Sequence, residues 1–288
     1  MTLPSSSVPS TFLSQEDIVS LPTPPTSQSA FPHPTPWGKS AAAFVASAKP
    51  FASSCAPLDG ILEAGLPQGH ILELSGPPGT AKDALARRFA RTAVEADRGV
   101  LFVDMQNMST AATLRAELDS VSERVHLVHH LSIFSLPELV AFLYNVPSFL
   151  DANPSIPLLI LSSISFPFQT AADLSISSRT AVLQQIKQLL ARLCAARNLT
   201  IVITSQMATK LLKPDGSPAN FDTGSRAVLV PQLGHTYLPS GRTYRVVIVP
   251  QTRTTGLLRL ISSPGHSGQA LKEAQYEMVD GVLQPSQS

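Results

Sequence analysis

Gly76, Gly79 and Lys82 lie in a short Gly/Pro stretch between an apolar run and a segment with helical periodicity. Their spacing approximates the pattern G-x-x-x-x-G-K-[ST], whose backbone N–H groups, with the start of the next helix, bind phosphate oxygens. A lysine at this position reaches the β- and γ-phosphates. From these residues alone, an incidental Gly/Pro turn before a helix is the alternative.

The predicted phosphate loop departs from that pattern at two positions. Ala81 replaces the glycine before the lysine, and its Cβ is expected to crowd the loop. Asp83 replaces the Ser/Thr whose hydroxyl binds Mg²⁺; an aspartate also binds Mg²⁺, but its charge repels phosphate oxygens. The residues predicted to contact nucleotide are Gly76, Pro77, Pro78, Gly79, Thr80, Ala81, Lys82 and Asp83.

Strands and helices alternate from Leu58 onward and would position this loop. Apolar runs predict strands, and four-residue periodicity predicts helices. The predicted strands are His70–Leu74, Gly99–Asp104, Val125–Val128, Ile156–Leu161 and Leu199–Thr204, and the predicted helices are Asp83–Glu95, Ala111–Val121, Leu136–Phe149 and Ser177–Arg197. This order predicts one α/β domain, a mainly parallel sheet with helices on both faces.

The two ends of the chain differ from this middle part. Residues 1–49 are rich in Ser, Thr and Pro and predict a disordered tail, which leaves 50–288 as the folded domain. The stretch Gly234–Val282 is strand-rich and is expected to extend the sheet with antiparallel strands.

Three stretches, in the right order, resemble RecA-family recombinases of eukaryotes and archaea and their paralogues. Leu58–Ile71 resembles the family pattern L-D-x-(L/I)-L-x-x-G-(L/I)-x-x-G, Ile201–Gln206 its strand ending in (T/S)-x-Q, and His235–Ile248 its final hairpin. The resemblance covers most of Leu58–Ile261. It implies a RecA-like P-loop NTPase fold that binds ATP and Mg²⁺, with Gln206 as the sensor of the γ-phosphate.

The family's catalytic groups are changed in this chain, and no catalytic residue is assigned. Gln106 occupies the position of the glutamate that orients the attacking water, and an amide is a far weaker base than a carboxylate. Ser162 replaces the Walker B aspartate. Asp104 ends an earlier strand and is expected to be a helper or structural residue; with Asp83 it is a candidate metal ligand. Since phosphoryl transfer depends on such positioning, fast hydrolysis is not expected.

The resemblance implies a recombinase-paralogue-like protein of homologous-recombination repair. It would work in the nucleus with other recombinase-family subunits on DNA, single-stranded or junction DNA. One alternative is an active DNA-dependent ATPase in which Asp83 and Asp104 are substitute metal ligands. The other is a non-catalytic RecA-like scaffold subunit of an Elongator-type complex; such subunits tend to lose the phosphate loop, whereas Lys82 is retained here.

The composition of the chain says less about its binding partners than the motifs do. The net charge of +1 gives no sign of a dedicated nucleic-acid binder. The polar segment Met207–Gly224 stands where the family has a DNA-binding loop, and an ordinary surface loop fits it equally well.

No apolar run approaches the roughly 18 residues that span a bilayer, and no secretory signal is expected. With two cysteines, no disulfide framework is expected either.

Overall fold

The structure is a computed structural model that describes residues 49–171, 173–215, 217, 219–220, 224–234, 236–265, 272–279 and 282–286. The predicted disordered tail, residues 1–49, lies outside these ranges except for Lys49. Its disorder and the domain boundary therefore stay predictions.

Strands and helices follow one another in the predicted order. The helices are α1 (Ala56–Ile61), α2 (Lys82–Glu95), α3 (Ala111–Glu117), α4 (Leu136–Ala152), α5 (Phe166–Thr170) and α6 (Ile176–Arg197). The strands are β1 (Ile71–Gly76), β2 (Val100–Asp104), β3 (Val128–Ser132), β4 (Leu158–Ser162), β5 (Thr200–Leu212), β6 (Arg226–Pro231), β7 (Thr243–Pro250), β8 (Thr255–Ser262), β9 (Glu273–Val279) and β10 (Val282–Pro285). No helix in the described ranges is both long enough and apolar enough to cross a membrane.

The strands form one sheet in the order β10-β9-β8-β7-β1-β5-β4-β2-β3, with β6 paired to the far part of β5. Strands β7, β1, β5, β4, β2 and β3 run parallel. Strands β8, β9 and β10 continue from β7 in antiparallel pairs. The prediction of a RecA-like α/β fold with a strand-rich C-terminal extension is confirmed.

Alternate residues of the central strands divide the core between the two faces of the sheet. Leu72, Ile160 and Val202 pack with α2 and α3 in one buried cluster. Their neighbours Leu159 and Ile201 pack with α4, α5 and α6 in the other. Because both faces are covered, these strands are apolar without alternation, and the predicted placement of helices on both faces is confirmed.

A buried ion pair crosses the sheet between β1 and β7. Glu73 is fully buried, and its Oε2 lies 2.8 Å from Nη1 of Arg245. Its Oε1 accepts hydrogen bonds from Tyr237 Oη at 2.6 Å and Ser205 Oγ at 3.2 Å. Burial raises the pKa of Glu73, while the charge of Arg245 and the two hydroxyls act in the opposite direction.

Two of the predicted element boundaries are wrong. The predicted strand Val125–Val128 falls mostly in a 3-10 helix, Asp119–Leu127, and β3 begins only at Val128. The predicted helix over Ala111–Val121 ends at Glu117. At the first place the 3-10 helix has no buried residue, and β3 forms the edge of the sheet. At the second, the backbone leaves the α-helical conformation although Leu118 is buried, and Val121 has a non-helical φ of −132°.

The predicted polar segment Met207–Gly224 is partly strand. β5 runs past Gln206 as far as Leu212 and pairs with β6 in antiparallel register, from Met207 opposite Pro231 to Leu212 opposite Arg226. The expectation of a plain loop is therefore wrong for its first six residues, which cross-strand hydrogen bonds hold extended.

Candidate functional site

The predicted site residues meet at one edge of the parallel sheet. Gly76, which ends β1, lies in register with Gln206 on β5, and Asp104, which ends β2, lies in register with Ser162 on β4. The carboxyl ends of parallel strands are the usual position of binding sites in open α/β sheets. The fold thus brings motifs from distant parts of the chain to one place.

The phosphate loop is held in shape by contacts around Pro77. The carbonyl oxygen of Pro77 accepts hydrogen bonds from Thr80 N at 3.3 Å and Thr80 Oγ1 at 2.9 Å. Gly79 adopts φ +82°, a left-handed conformation that glycine tolerates best. A Cβ on Gly76 would lie 2.5 Å from Thr80 Oγ1, so the loop needs glycine there for space.

Ala81 and the start of α2 bear on the expected crowding of the loop. Ala81 has φ −73°, which any residue adopts, and no side chain caps the helix there. Its side chain belongs to the buried apolar cluster on the α2 face of the sheet.

The first N–H groups of a helix have no partner within the helix, and Pro77 and Pro78 carry no N–H. The donors for an anion are therefore the amides of Gly79 and of the first turn of α2, because the Thr80 amide already donates to the Pro77 carbonyl.

Lys82 is present at the predicted position and is almost fully buried, with 1% of its surface exposed. Its Nζ donates a hydrogen bond to the Pro77 carbonyl at 3.3 Å and lies 3.7 Å from Asp83 Oδ2. Burial lowers the pKa of Lys82, and the neighbouring Asp83 opposes that shift. The lysine side chain thus points back along the loop towards Pro77.

Asp83 contacts the ends of two neighbouring strands. Its Oδ1 accepts hydrogen bonds from Ser162 Oγ at 3.3 Å and Thr204 Oγ1 at 3.0 Å. The Asp83 side chain is 13% exposed. This carboxylate therefore lies at the junction of α2, β4 and β5, beside the lysine.

Asp104 is engaged by the loop that follows β2. Its oxygens accept hydrogen bonds from the backbone N–H groups of Gln106 at 3.0 Å, Met108 at 3.4 Å and Ser109 at 2.8 Å. This geometry supports the predicted structural role, because backbone donors use both oxygens. Across the described ranges, no group of three or more His, Cys, Asp or Glu side chains is arranged to hold a metal ion.

Gln106 and Gln206 are joined directly. Gln206 Nε2 donates to Gln106 Oε1 at 3.0 Å, and the backbone N–H of Gln206 donates to Ser165 Oγ at 3.0 Å. Gln206 is 6% exposed, and its Oε1 is buried with no hydrogen-bond partner among the described residues. A buried acceptor without a donor is costly unless a ligand or water satisfies it.

Sequence reasoning missed the parts of Thr204 and Ser165 in this site. Thr204 Oγ1 donates to Asp83 and accepts from the backbone N–H of Ser163 at 2.7 Å. The signal for Thr204 was available, since it is the first residue of the (T/S)-x-Q match. Ser165 follows β4 and lies outside any motif, so nothing in the sequence marked it.

The chain resembles known DNA repair and recombination proteins. It is 23% identical over 222 residues to DNA repair protein RAD51 homolog 3 of Dictyostelium discoideum, covering 67% of this chain and 55% of that protein. It is 26% identical over 214 residues to the Cricetulus griseus protein of the same name, covering 64% of this chain and 55% of that protein. DNA repair and recombination protein RadB of Thermoplasma volcanium is 25% identical over 162 residues, covering 56% of this chain and 67% of that protein.

These homologues are RecA-family recombinases at modest identity, which confirms the resemblance predicted from the motifs. No protein-family model matches the chain. The chain spans about half the length of the RAD51 homolog 3 proteins.

Proposed function

We propose that this protein binds ATP with Mg²⁺ at the loop Gly76–Asp83, hydrolyses it slowly or not at all, and supports homologous recombination. It would do so in the nucleus, on DNA, within a complex of recombinase-family subunits. The names of the homologues support the DNA repair and recombination role. The observation that supports a nucleotide site with slow or absent hydrolysis is the hydrogen bond from Gln206 to Gln106. This contact lies in a site that retains its loop lysine, Lys82.

Nucleotide binding is supported by the loop and its lysine. The amides that begin α2 are unpartnered within the helix and favour an anion at its N-terminus. Lys82 is held beside them by the Pro77 carbonyl. A buried lysine with a lowered pKa gains from a phosphate ligand, because phosphate restores the solvation that burial removes.

Weak or absent hydrolysis is supported by the identity of residue 106. A general base contributes about 10²–10⁴-fold to a reaction rate. Gln106 offers an amide oxygen that already accepts the Gln206 bond, so it orients a water without accepting its proton. The site therefore keeps the contact of Gln206 with residue 106 but has no carboxylate at position 106 to act as a base.

Mg²⁺ fits the donor set of this site. Asp83 supplies a carboxylate next to the loop, at the junction of α2, β4 and β5, and carboxylate oxygens are preferred ligands of Mg²⁺. When bound, the ion would neutralise phosphate charge. Asp83 would hold it, while Lys82 and the loop amides hold the phosphates.

Assembly with another subunit is supported by β3, which is the last strand of the sheet among the described residues. Beside β3 a groove of about 630 Å³ opens towards α4, and its walls are mostly apolar, among them Leu101, Leu131, Ile133, Phe142, Val146 and Phe149. Leu131 is 40% exposed. An edge strand next to an apolar groove suits an extended segment that adds a strand and inserts side chains.

DNA contact is supported by the hairpin of β5 and β6. It continues directly from Gln206, so the sensor and the hairpin share one strand. Lys210 and Lys213 lie on or just after the outer part of β5, where residues are exposed or half-buried. These cations are available to a nucleic-acid backbone.

The deciding experiment measures ATP binding and turnover by the full chain, with and without single-stranded DNA. We expect saturable ATP binding that Lys82→Ala abolishes, and turnover that DNA does not stimulate. DNA-stimulated turnover that Lys82→Ala abolishes would overturn the non-hydrolysing part and favour the active ATPase. Affinity purification followed by mass spectrometry should recover recombinase-family subunits; recovery of tRNA-modification subunits instead would overturn the repair assignment.

A further inference from the structure

Asp83 and Ser162 lie in direct contact although 79 residues separate them. The family resemblance assigns a hydroxyl to the position after the loop lysine and a carboxylate to the end of β4. Here the carboxylate follows the lysine and the hydroxyl ends β4, and Ser162 Oγ donates to Asp83 Oδ1 at 3.3 Å. The two chemical groups are both present, with their positions exchanged.

The exchange conserves the charge of the site. One carboxylate and one hydroxyl face each other in either order, so the loss of the Walker B aspartate removes no negative charge from this pair. In its new position the carboxylate gains a second donor, Thr204 Oγ1 at 3.0 Å. It also lies in the first turn of α2, where the helix dipole stabilises an anion.

We propose that Asp83 is the carboxylate that holds the divalent cation of a bound nucleotide, and that Ser162 and Thr204 are positioning residues for it. This inference rests on the nucleotide binding proposed above. The two hydroxyls hold Oδ1, and Oδ2 lies on the loop side, where it forms an ion pair with Lys82 Nζ at 3.7 Å. Carboxylate oxygens are preferred ligands of Mg²⁺, so the oxygen on the loop side is suited to the ion.

The position of Asp83 makes the cation more important than in a loop with a hydroxyl. Without a cation, the carboxylate lies beside the phosphates and repels them. With a cation, the same charge attracts. The affinity for nucleotide should therefore depend strongly on the divalent ion.

The first test compares the wild type with Asp83→Asn, which keeps the size of the side chain and both hydroxyl contacts. Binding of fluorescent ADP is measured with Mg²⁺ and with EDTA, and bound Mn²⁺ is followed by electron paramagnetic resonance. We expect Mg²⁺ to tighten wild-type binding by at least about tenfold. In Asp83→Asn the binding in EDTA should become about tenfold tighter, and the gain from Mg²⁺ and the signal of bound Mn²⁺ should disappear.

The second test reverses the exchange. Asp83→Ser alone should lose the dependence on the cation, because the pair then has no carboxylate. The double variant Asp83→Ser with Ser162→Asp should recover it to within about threefold of the wild type, since the usual order then carries the same groups. Ser162→Asp alone puts two carboxylates in contact and should weaken binding, and circular dichroism checks that each variant is folded.

The outcomes separate this inference from the proposed function. If Mg²⁺ tightens binding equally in the wild type and in Asp83→Asn, the inference is wrong and nucleotide binding stands. A double variant no better than Asp83→Ser would also overturn it. If the wild type binds no nucleotide with or without a cation, the proposed function fails and this inference fails with it.

Discussion

Gln206 Nε2 donates a 3.0 Å hydrogen bond to Oε1 of Gln106, which lies 100 residues earlier in the chain. The residue at the sensor position therefore touches the residue at the position of the catalytic glutamate. A glutamate at position 106 would accept the same bond through a carboxylate oxygen. Glutamine and glutamate at position 106 can therefore make the same contact with Gln206, but only glutamate is basic enough to accept a proton from water.

Gln106→Glu should therefore raise ATP turnover by about 100-fold, the lower end of what a general base contributes. Phosphate release at saturating ATP and Mg²⁺ measures it. Gln106→Ala is the matched control, because it removes both the base and the Gln206 bond. If the glutamate variant is no faster than the alanine variant, the hydrolytic defect lies elsewhere in the site.

The buried pair of Glu73 and Arg245 should behave as one unit in folding. Glu73→Gln removes the buried carboxylate that pairs with the Arg245 guanidinium, which should lower the free energy of unfolding by about 3–5 kcal/mol. Replacing both residues, with Glu73→Gln and Arg245→Met, should recover most of that loss. Urea denaturation of the variants checks this; a double variant as unstable as the two single losses combined would contradict it.

Stability should fall at alkaline pH because two buried thiols resist ionisation. Burial raises the pKa of Cys55 from 9.0 to about 11 and that of Cys194 from 9.0 to about 12. The unfolded chain loses these protons from pH 9 upward while the folded protein retains them, so unfolding becomes easier as pH rises. For Cys55 the loss reaches about 2.3 kcal/mol by pH 11, where half of the folded molecules have also lost the proton.

Urea denaturation at pH 8, 9.5 and 11 measures this loss of stability. Cys55→Ala should lose less stability than the wild type between pH 9 and 11. Buried Tyr237, whose pKa is raised well above 10.0, acts in the same direction in both proteins. Equal losses in the wild type and Cys55→Ala would show that the thiol makes no contribution.

The hairpin of β5 and β6 should contribute to DNA binding through its cations. Lys210→Gln with Lys213→Gln should weaken binding of single-stranded DNA and reduce the dependence of log K on log salt by about 0.7 for each lysine that contacts a phosphate. Arg192→Gln is the control, since Arg192 is an exposed cation on α6, outside the hairpin. Equal effects of the two changes would remove the hairpin from the DNA interface.

The edge at β3 should be needed for assembly. Leu131→Glu places a charge in the apolar groove and should abolish co-purification of recombinase-family subunits, with little effect on stability because Leu131 is 40% exposed. Leu229→Glu on β6 is the matched control, at an exposed leucine outside the groove. Retention of the subunits by Leu131→Glu would move the interface to another surface.

Much of the fold could be predicted because its central strands are buried on both faces. Continuous apolar runs such as Ile156–Leu161 mark such strands without any tertiary information. The outer part of β5 could not be predicted, because Met207–Leu212 is held extended by pairing with β6 rather than by burial. Cross-strand pairing of this kind leaves little trace in a local pattern.

The candidate site divides in the same way. Lys82, Gln106 and Gln206 were predicted from motif positions, since each stands at a fixed distance from a strand end. The contact between Asp83 and Ser162 depends on the position of β4 beside β5 in the sheet. Strand order is a property of the whole fold, so two separate substitutions in the sequence looked unrelated.

Pro77 and Pro78 have a consequence for how fast a ligand enters and leaves the phosphate loop. Two fixed φ angles and the bonds from Thr80 to the Pro77 carbonyl restrict the loop before anything binds. A ligand then loses little free energy in ordering the loop, because the ordering is present in advance. Association should follow simple one-step kinetics, with affinity differences between ligands expressed in their residence times.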